Sequence, residues 1–153
     1  MGGKTHRIRN IKREHLPLIP DLAVIDVSFI SLKLVFPVIY QLGIPEIVAL
    51  VKPQFEVGKK AASKGKGVIR DNQLHKAVLN DLLLYSMEIG YYLKDVTYSS
   101  ITGPKGNIEY FIHLATTGED EQKNDWDFMT DQLSQKIEHT VTEAFKKHYD
   151  INQ

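Results

Sequence analysis

Cysteine is absent from the 153 residues, which excludes disulfides, thiolate metal sites and cysteine nucleophiles and accords with a reducing cytoplasm. Net charge is absent as well: 19 Lys and Arg balance 19 Asp and Glu, so any attraction to nucleic acid or membrane must be local. No apolar run approaches the roughly 20 residues that a membrane-spanning helix needs, and the opening Met1 to His6 lacks the apolar core of a signal peptide. The six histidines show no ligand spacing. Asp125, Asp127 and Asp131 lack the glycine and terminal glutamate of a calcium loop, so no metal site is expected.

What is present is enough for one domain with a real core, at 42% hydrophobic residues. Residues 1–6 offer nothing to bury and read as an expression remnant or disordered start, residues 7–149 as the folded part, and 150–153 as a tail. Apolar runs from Leu22 to Ile25 and from Ile47 to Val51 predict buried parallel strands. Between them Leu32, Leu34, Val35, Val38, Ile39 and Leu42 recur at helical spacing, with Gly43 as a stop and Pro37 as a start or kink. A glycine-rich loop should follow, then a helix from Asp71 to Ile89, capped by Asp71 or Asn72 and ended by Gly90.

Strands are expected at about Tyr91 to Tyr98 and Ile108 to Ala115. The turn chemistry of Thr102 to Asn107 between them is too short for a crossover, so the two should be antiparallel neighbours. Trp126, Met129, Leu133, Ile137, Val141, Ala144 and Phe145 trace one face of a long closing helix. The order is that of an α/β fold of at least four strands, mostly parallel, with an antiparallel strand near one edge.

In open α/β sheets ligands bind beyond the carboxyl ends of the parallel strands. Asp26 and Lys52 each end such a strand, and Glu109 begins an antiparallel one, which brings all three to one edge. Each has a structural alternative: Asp26 as a helix cap, Lys52 as a strand end stretching to water, Glu109 as a solvent-facing strand residue. Their shared edge favours the functional reading.

Four ordered blocks carry a resemblance: Asp21 to Leu32, Val48 to Glu56, Gly67 to Asp71, and Ile101 to Tyr110. In order and spacing they resemble the later motifs of the FtsJ/hemolysin-A (TlyA) family of S-adenosylmethionine-dependent RNA 2′-O-methyltransferases, over about Arg7 to Ala115. The resemblance implies a partial Rossmann-like methyltransferase fold. It makes residues 7–149 the carboxyl-terminal portion of that domain, acting on a ribose 2′-hydroxyl of ribosomal RNA or ribosomal subunits, on a cytidine. Of the family's Lys-Asp-Lys-Glu tetrad it implies Asp26, Lys52 and Glu109 as catalytic residues, with Lys52 the proton acceptor and the carboxylates orienting groups. The first Lys has no match, nor does the glycine-rich turn that holds S-adenosylmethionine. Asp26 is then the one cofactor-side residue, and weak or no cofactor binding by this chain is expected.

Lys59, Lys60, Lys64, Lys66 and Arg70 form a basic run with no acid between them, and Gly58, Gly65 and Gly67 suit a mobile loop closing over an RNA backbone. Arg7, Arg9, Lys12 and Arg13 form a second cluster. The alternative for such runs is solvated surface. Tyr91, Tyr92, Tyr98 and Tyr110 suit either base stacking or core, and His113 a sheet face. The hemolysin name raises a membrane-acting alternative, but the closing helix mixes charges and starts in acid, unlike membrane-surface helices. A non-catalytic RNA- or partner-binding remnant is the third reading. An unpaired edge on the first strand should also favour self-association.

Overall fold

The computed structural model describes residues 7–116 and 126–149. The expected start at 1–6, the acidic residues Glu119, Asp120, Glu121 and Asp125, and the tail at 150–153 lie outside the described residues. Of residues 126–129, and of Lys60 and Lys64, the backbone alone is described.

The two apolar runs form strands β1 (Leu22–Ile25) and β2 (Glu46–Val51), paired in parallel with Val24 opposite Val48. The helical pattern between them is split into a 3₁₀ turn, Leu32–Leu34, and helix α1, Phe36–Gln41. Pro37 lies in the first turn of α1, where a missing N–H costs no hydrogen bond, so it starts a short helix rather than kinking a long one.

The segment after β2, expected as a loop, instead holds helices α2 (Pro53–Glu56) and α3 (Lys59–Lys64). Pro53 fixes the first helical φ of α2, and Gly58, at φ 50, turns the chain between the two. Ala61 and Ala62 then supply strong helix formers in α3. The next helix, α4, spans Asn72–Ile89 much as the sequence predicts. Asp71 caps it by accepting from Gln73 N–H at 2.9 Å, and Gly90 closes it in the left-handed region at φ 119.

Strands β3 (Tyr92–Tyr98) and β4 (Tyr110–Ala115) are antiparallel, and the sheet order is β1-β2-β4-β3. Hence β1, β2 and β3 share a direction while β4 opposes them, one place in from the edge. Helix α5 spans Trp126–Tyr149. Alternate sheet residues, among them Ile25, Ile47, Val51, Ile112 and Leu114, share one core with Leu79 and Leu82 of α4 and Ile137 and Val141 of α5. The opposite sheet face is open: Val24 is 76% and Phe111 40% exposed, and His113 pairs there with Glu46 at 2.9 Å. Among the described residues no strand pairs with the outer edge of β1.

Tyr91 and Tyr110 are fully buried, which makes them core rather than stacking platforms. The Tyr91 hydroxyl donates to the Ile44 carbonyl, and burial pushes its pKa up to about 12. His75 is also fully buried, its ring edge-on to Tyr110 and Phe145. Its Nε2 lies 2.8 Å from the Ile69 carbonyl, which can only accept, so Nε2 carries the proton and Nδ1 accepts from the Tyr110 hydroxyl at 2.8 Å. That leaves a neutral imidazole with both nitrogens satisfied, and desolvation holds its pKa below the ordinary 6.5, against the opposing Ile69 hydrogen bond.

The unfolded chain therefore binds a proton at His75 more readily than the folded one as pH falls below about 6.5. Stability from this group is present above that pH and is lost as pH drops toward the lowered folded value. Urea denaturation across about pH 5 to 7.5 should show the midpoint falling on the acid side. The fall should be shallower in His75→Gln. Equal slopes in the two proteins would exclude His75 as the source.

Candidate functional site

Because β4 runs against β2, the pair Val51↔Tyr110 is followed, one step outward, by Lys52 and Glu109. Asp26 follows Ile25 at the end of β1, so all three predicted residues stand at the same edge. Lys52 Nζ lies 2.6 Å from Asp26 Oδ1 and donates to Ser28 Oγ at 3.1 Å. The lysine side chain is 12% exposed and that of Asp26 66%, so the cation is held inward and its partner faces solvent. Asp26 is thus an ion-pair partner and not a helix cap. The cap of the following turn is Ser31, whose Oγ accepts from Lys33 N–H.

Glu109 does not pair with Lys52 in the same way. Its Oε1 accepts from Gln54 Nε2 at 3.4 Å and lies against Gly103, where a Cβ would come within 2.8 Å of it. Gly103 thus leaves the room that the carboxylate occupies. Gln54 Oε1 is buried and has no hydrogen-bond partner, an acceptor still open beside Glu109.

Helix α2 and the loop after β1 grip each other repeatedly. Lys52, Phe55 and Glu56 have the spacing of one helical face, and each reaches the loop. Lys52 takes Asp26 and Ser28; Phe55 meets Phe29 with ring centroids 4.7 Å apart. Glu56 accepts from Ser31 Oγ at 2.6 Å and from Leu32 N–H at 2.9 Å. Burial raises the Glu56 pKa, while those hydrogen bonds and Lys33 work the other way. Phe29, between these anchors, has φ 61 and is 90% exposed. A bulky residue in the left-handed region is strained, and strain of this kind persists where the surroundings over-determine it.

The predicted RNA residues lie on a folded segment rather than an open loop. Lys59, Lys60 and Lys64 belong to α3, Lys59 being exposed. Lys66 is exposed at φ 52, and the Arg70 guanidinium stands over the Tyr149 ring, 4.9 Å from its centroid. The sequence reading missed Ser28, Phe29, Gln54 and Glu56. A one-turn signal existed in the spacing of Lys52, Phe55 and Glu56, but nothing local announced the backbone of Phe29.

With this geometry in view, the chain matches the model of a family described as FtsJ-like methyltransferase over residues 4–116. It is 46% identical over 105 residues to a presumed rRNA methyltransferase, YqxC, of Bacillus subtilis (strain 168), covering 67% of this chain and 37% of the relative. It is 43% identical over 98 residues to the 16S/23S rRNA (cytidine-2′-O)-methyltransferase TlyA of Mycobacterium tuberculosis (strain ATCC 25618 / H37Rv), covering 63% and 36%. Among solved structures, a presumed hemolysin from Streptococcus thermophilus superposes with a TM-score of 0.78 at 30% identity, covering 95% of this chain and 50% of that one. The alignments thus span well under half the length of these curated relatives.

Glu56→Ala should destabilise the protein by about 1–3 kcal/mol, because the Leu32 N–H and Ser31 hydroxyl lose their shared partner. Glu56→Gln should cost less, since an amide can accept one of these bonds and donate the other. Urea denaturation at neutral pH measures both. An alanine variant as stable as the parent would show the clamp to be idle.

Proposed function

The chain belongs to the FtsJ-like methyltransferase family, and on that footing we propose that it supplies the acceptor side of a site that methylates a ribose 2′-hydroxyl in ribosomal RNA. One observation carries the reading: an inward-held lysine, Lys52, is fixed by Asp26 and Ser28 at the carboxyl edge of the sheet, with Glu109 immediately before the adjacent strand. A hydroxyl docked there meets a nitrogen held in one position by two oxygens, which takes the hydroxyl proton once the ammonium has itself released one to solvent. Asp26 and Ser28 orient that nitrogen, and Glu109, steadied by Gln54 and Gly103, orients the ribose.

Phe29 extends the proposal to the base. An exposed ring tilted against Phe55, beside Ser28 and in a strained backbone, offers a platform for the nucleobase whose ribose is presented to Lys52. The names of relatives favour cytidine and ribosomal RNA as substrate, and a cytoplasmic location follows from that substrate. Residues 7–149 form the working unit of this proposal, with Lys59, Lys60, Lys64, Lys66 and Arg70 assigned to the RNA backbone. The membrane-acting reading rests on names such as hemolysin A of Brachyspira hyodysenteriae, and no described helix is long and apolar enough to cross a membrane.

S-adenosylmethionine supplies the methyl group in this family. The described residues do not by themselves fit it: beside Asp26 lies the open edge of β1, with Leu22 and Val24 exposed, rather than an enclosing cleft. We assign Asp26 no more than one wall of that site, and place self-association of the chain at the same uncovered edge.

Joined to the remaining length of a relative, Lys52→Ala should reduce methylation of ribosomal RNA to background while circular dichroism and cofactor affinity stay near those of the parent. Turnover within about tenfold of the parent, a barrier change of roughly 1.4 kcal/mol, would remove Lys52 from the role of proton acceptor. For the chain alone, calorimetry should detect no micromolar binding of S-adenosylmethionine, and sedimentation velocity should find associated species. Tight binding to a monodisperse monomer would overturn the reading of the β1 edge.

A further inference from the structure

We propose that Lys66, Lys105 and Arg70 form a preorganised site for the phosphodiester backbone of single-stranded RNA, framed by Asn107; the proposal rests on the RNA reading above. Lys105 belongs to the turn between β3 and β4, outside the basic run that the sequence singles out.

The first support is charge left uncompensated. Lys33, Lys52, Lys76, Lys136 and Lys146 each meet a carboxylate within the fold. Among the ion pairs of the described residues, none involves Lys66, Lys105 or Arg70. Asp71, the acid next in sequence, is engaged in capping α4. Yet the Lys105 ammonium is folded across Gly67, 3.7 Å from where a Cβ would stand, which brings it to the residue next to Lys66. Like charges gathered without an anion repel, and an arriving polyanion relieves that repulsion.

The second support is rigidity. Asn107 is buried; its Oδ1 accepts from Ile69 N–H at 3.0 Å and its Nδ2 donates to the Gly67 carbonyl at 2.7 Å. One side chain thereby fastens the segment bearing Lys66 and Arg70 to the turn bearing Lys105. The turn is braced in its own right by Gly103 N–H to the Asn107 carbonyl and by the Tyr149 hydroxyl to the Gly106 carbonyl. Arg70 lies over that same Tyr149 ring. Lys66 is held in the left-handed region at φ 52, where glycine would be easier. A strained lysine, exposed and in no ion pair among the described residues, suits a ligand that needs its ammonium at that spot.

Lysine and arginine cations of this kind engage phosphate oxygens, so the contact reads the backbone and not the sequence. The same turn places Glu109 against Gly103, so a phosphate held at Lys105 sits on the element that carries Glu109.

Fluorescence anisotropy of the chain with a single-stranded RNA oligonucleotide, across a salt series, tests the site. Replacing Lys66 by Gly and Lys105 by Ala together should flatten the slope of log affinity against log salt by about 1.4, at roughly 0.7 per phosphate contact. Lys66→Gly alone should weaken binding while its melting temperature stays level or rises, a combination that a purely structural lysine would not give. Lys94→Ala, which removes an exposed charge on β3, should leave the slope unchanged. An unaltered slope in the double variant, an equal loss in Lys94→Ala, or no RNA binding by the parent chain would each overturn the proposal. The role of Lys52 is decided separately by methylation, so the two readings fail independently.

Discussion

A strand that enters a sheet backwards begins where its neighbours end, and β4 does this between β2 and β3. Without that reversal Glu109 would stand at the far edge, about 20 Å from Lys52 along a six-residue strand at some 3.4 Å per residue. The requirement falls on the connection: β3 and β4 must be joined tightly enough to pair side by side. Gly103, Gly106 and Asn107 meet it through Gly103 N–H to Asn107 carbonyl and Gly106 N–H to Gly103 carbonyl. The residues that build the turn also line the site, which is why Gly103 has both a conformational and a steric task.

Helix α2 imposes the second constraint. Four residues make too short a helix to persist on its own, since a first turn fixes many dihedrals for few hydrogen bonds. Its side-chain contacts with the loop after β1 stabilise both partners, so the helix and the strained Phe29 backbone depend on each other. Lys52 at one end and Glu56 at the other work in different surroundings. The first joins an ion pair whose acid faces water; the second is a part-buried carboxylate taking hydrogen bonds from the loop.

The sequence was most informative where a residue's role is local. Asp71 and Gly90 mark the ends of α4 because capping is a matter of neighbours, and Asp26 and Lys52 stand out because a charge that ends an apolar run is visible in one dimension. The antiparallel pairing of β3 and β4 was legible from the length of their connection. What escaped was decided across the chain. Helices α2 and α3 are shorter than any periodicity can reveal, so glycines that suggested a mobile loop turned out to punctuate short helices. Asn107 looked like ordinary turn chemistry, yet its amide reaches Gly67 and Ile69. Phe29 gave no signal in the sequence, because a dihedral angle leaves no mark in composition.

The hydrogen bond from Tyr149 to Gly106 has a consequence for the carboxyl terminus. Tyr149 closes the last turn of α5, a helix whose packing against α4 and β3 is carried by residues well before it, among them Ile137 and Val141. Exopeptidase trimming or a bulky fusion at that end would therefore leave the helix docked. The damage would surface elsewhere, in a loosened β3–β4 turn and a carboxylate at position 109 no longer held in register with its neighbours. Tyr149 is, in this respect, a remote brace for the mouth of the sheet.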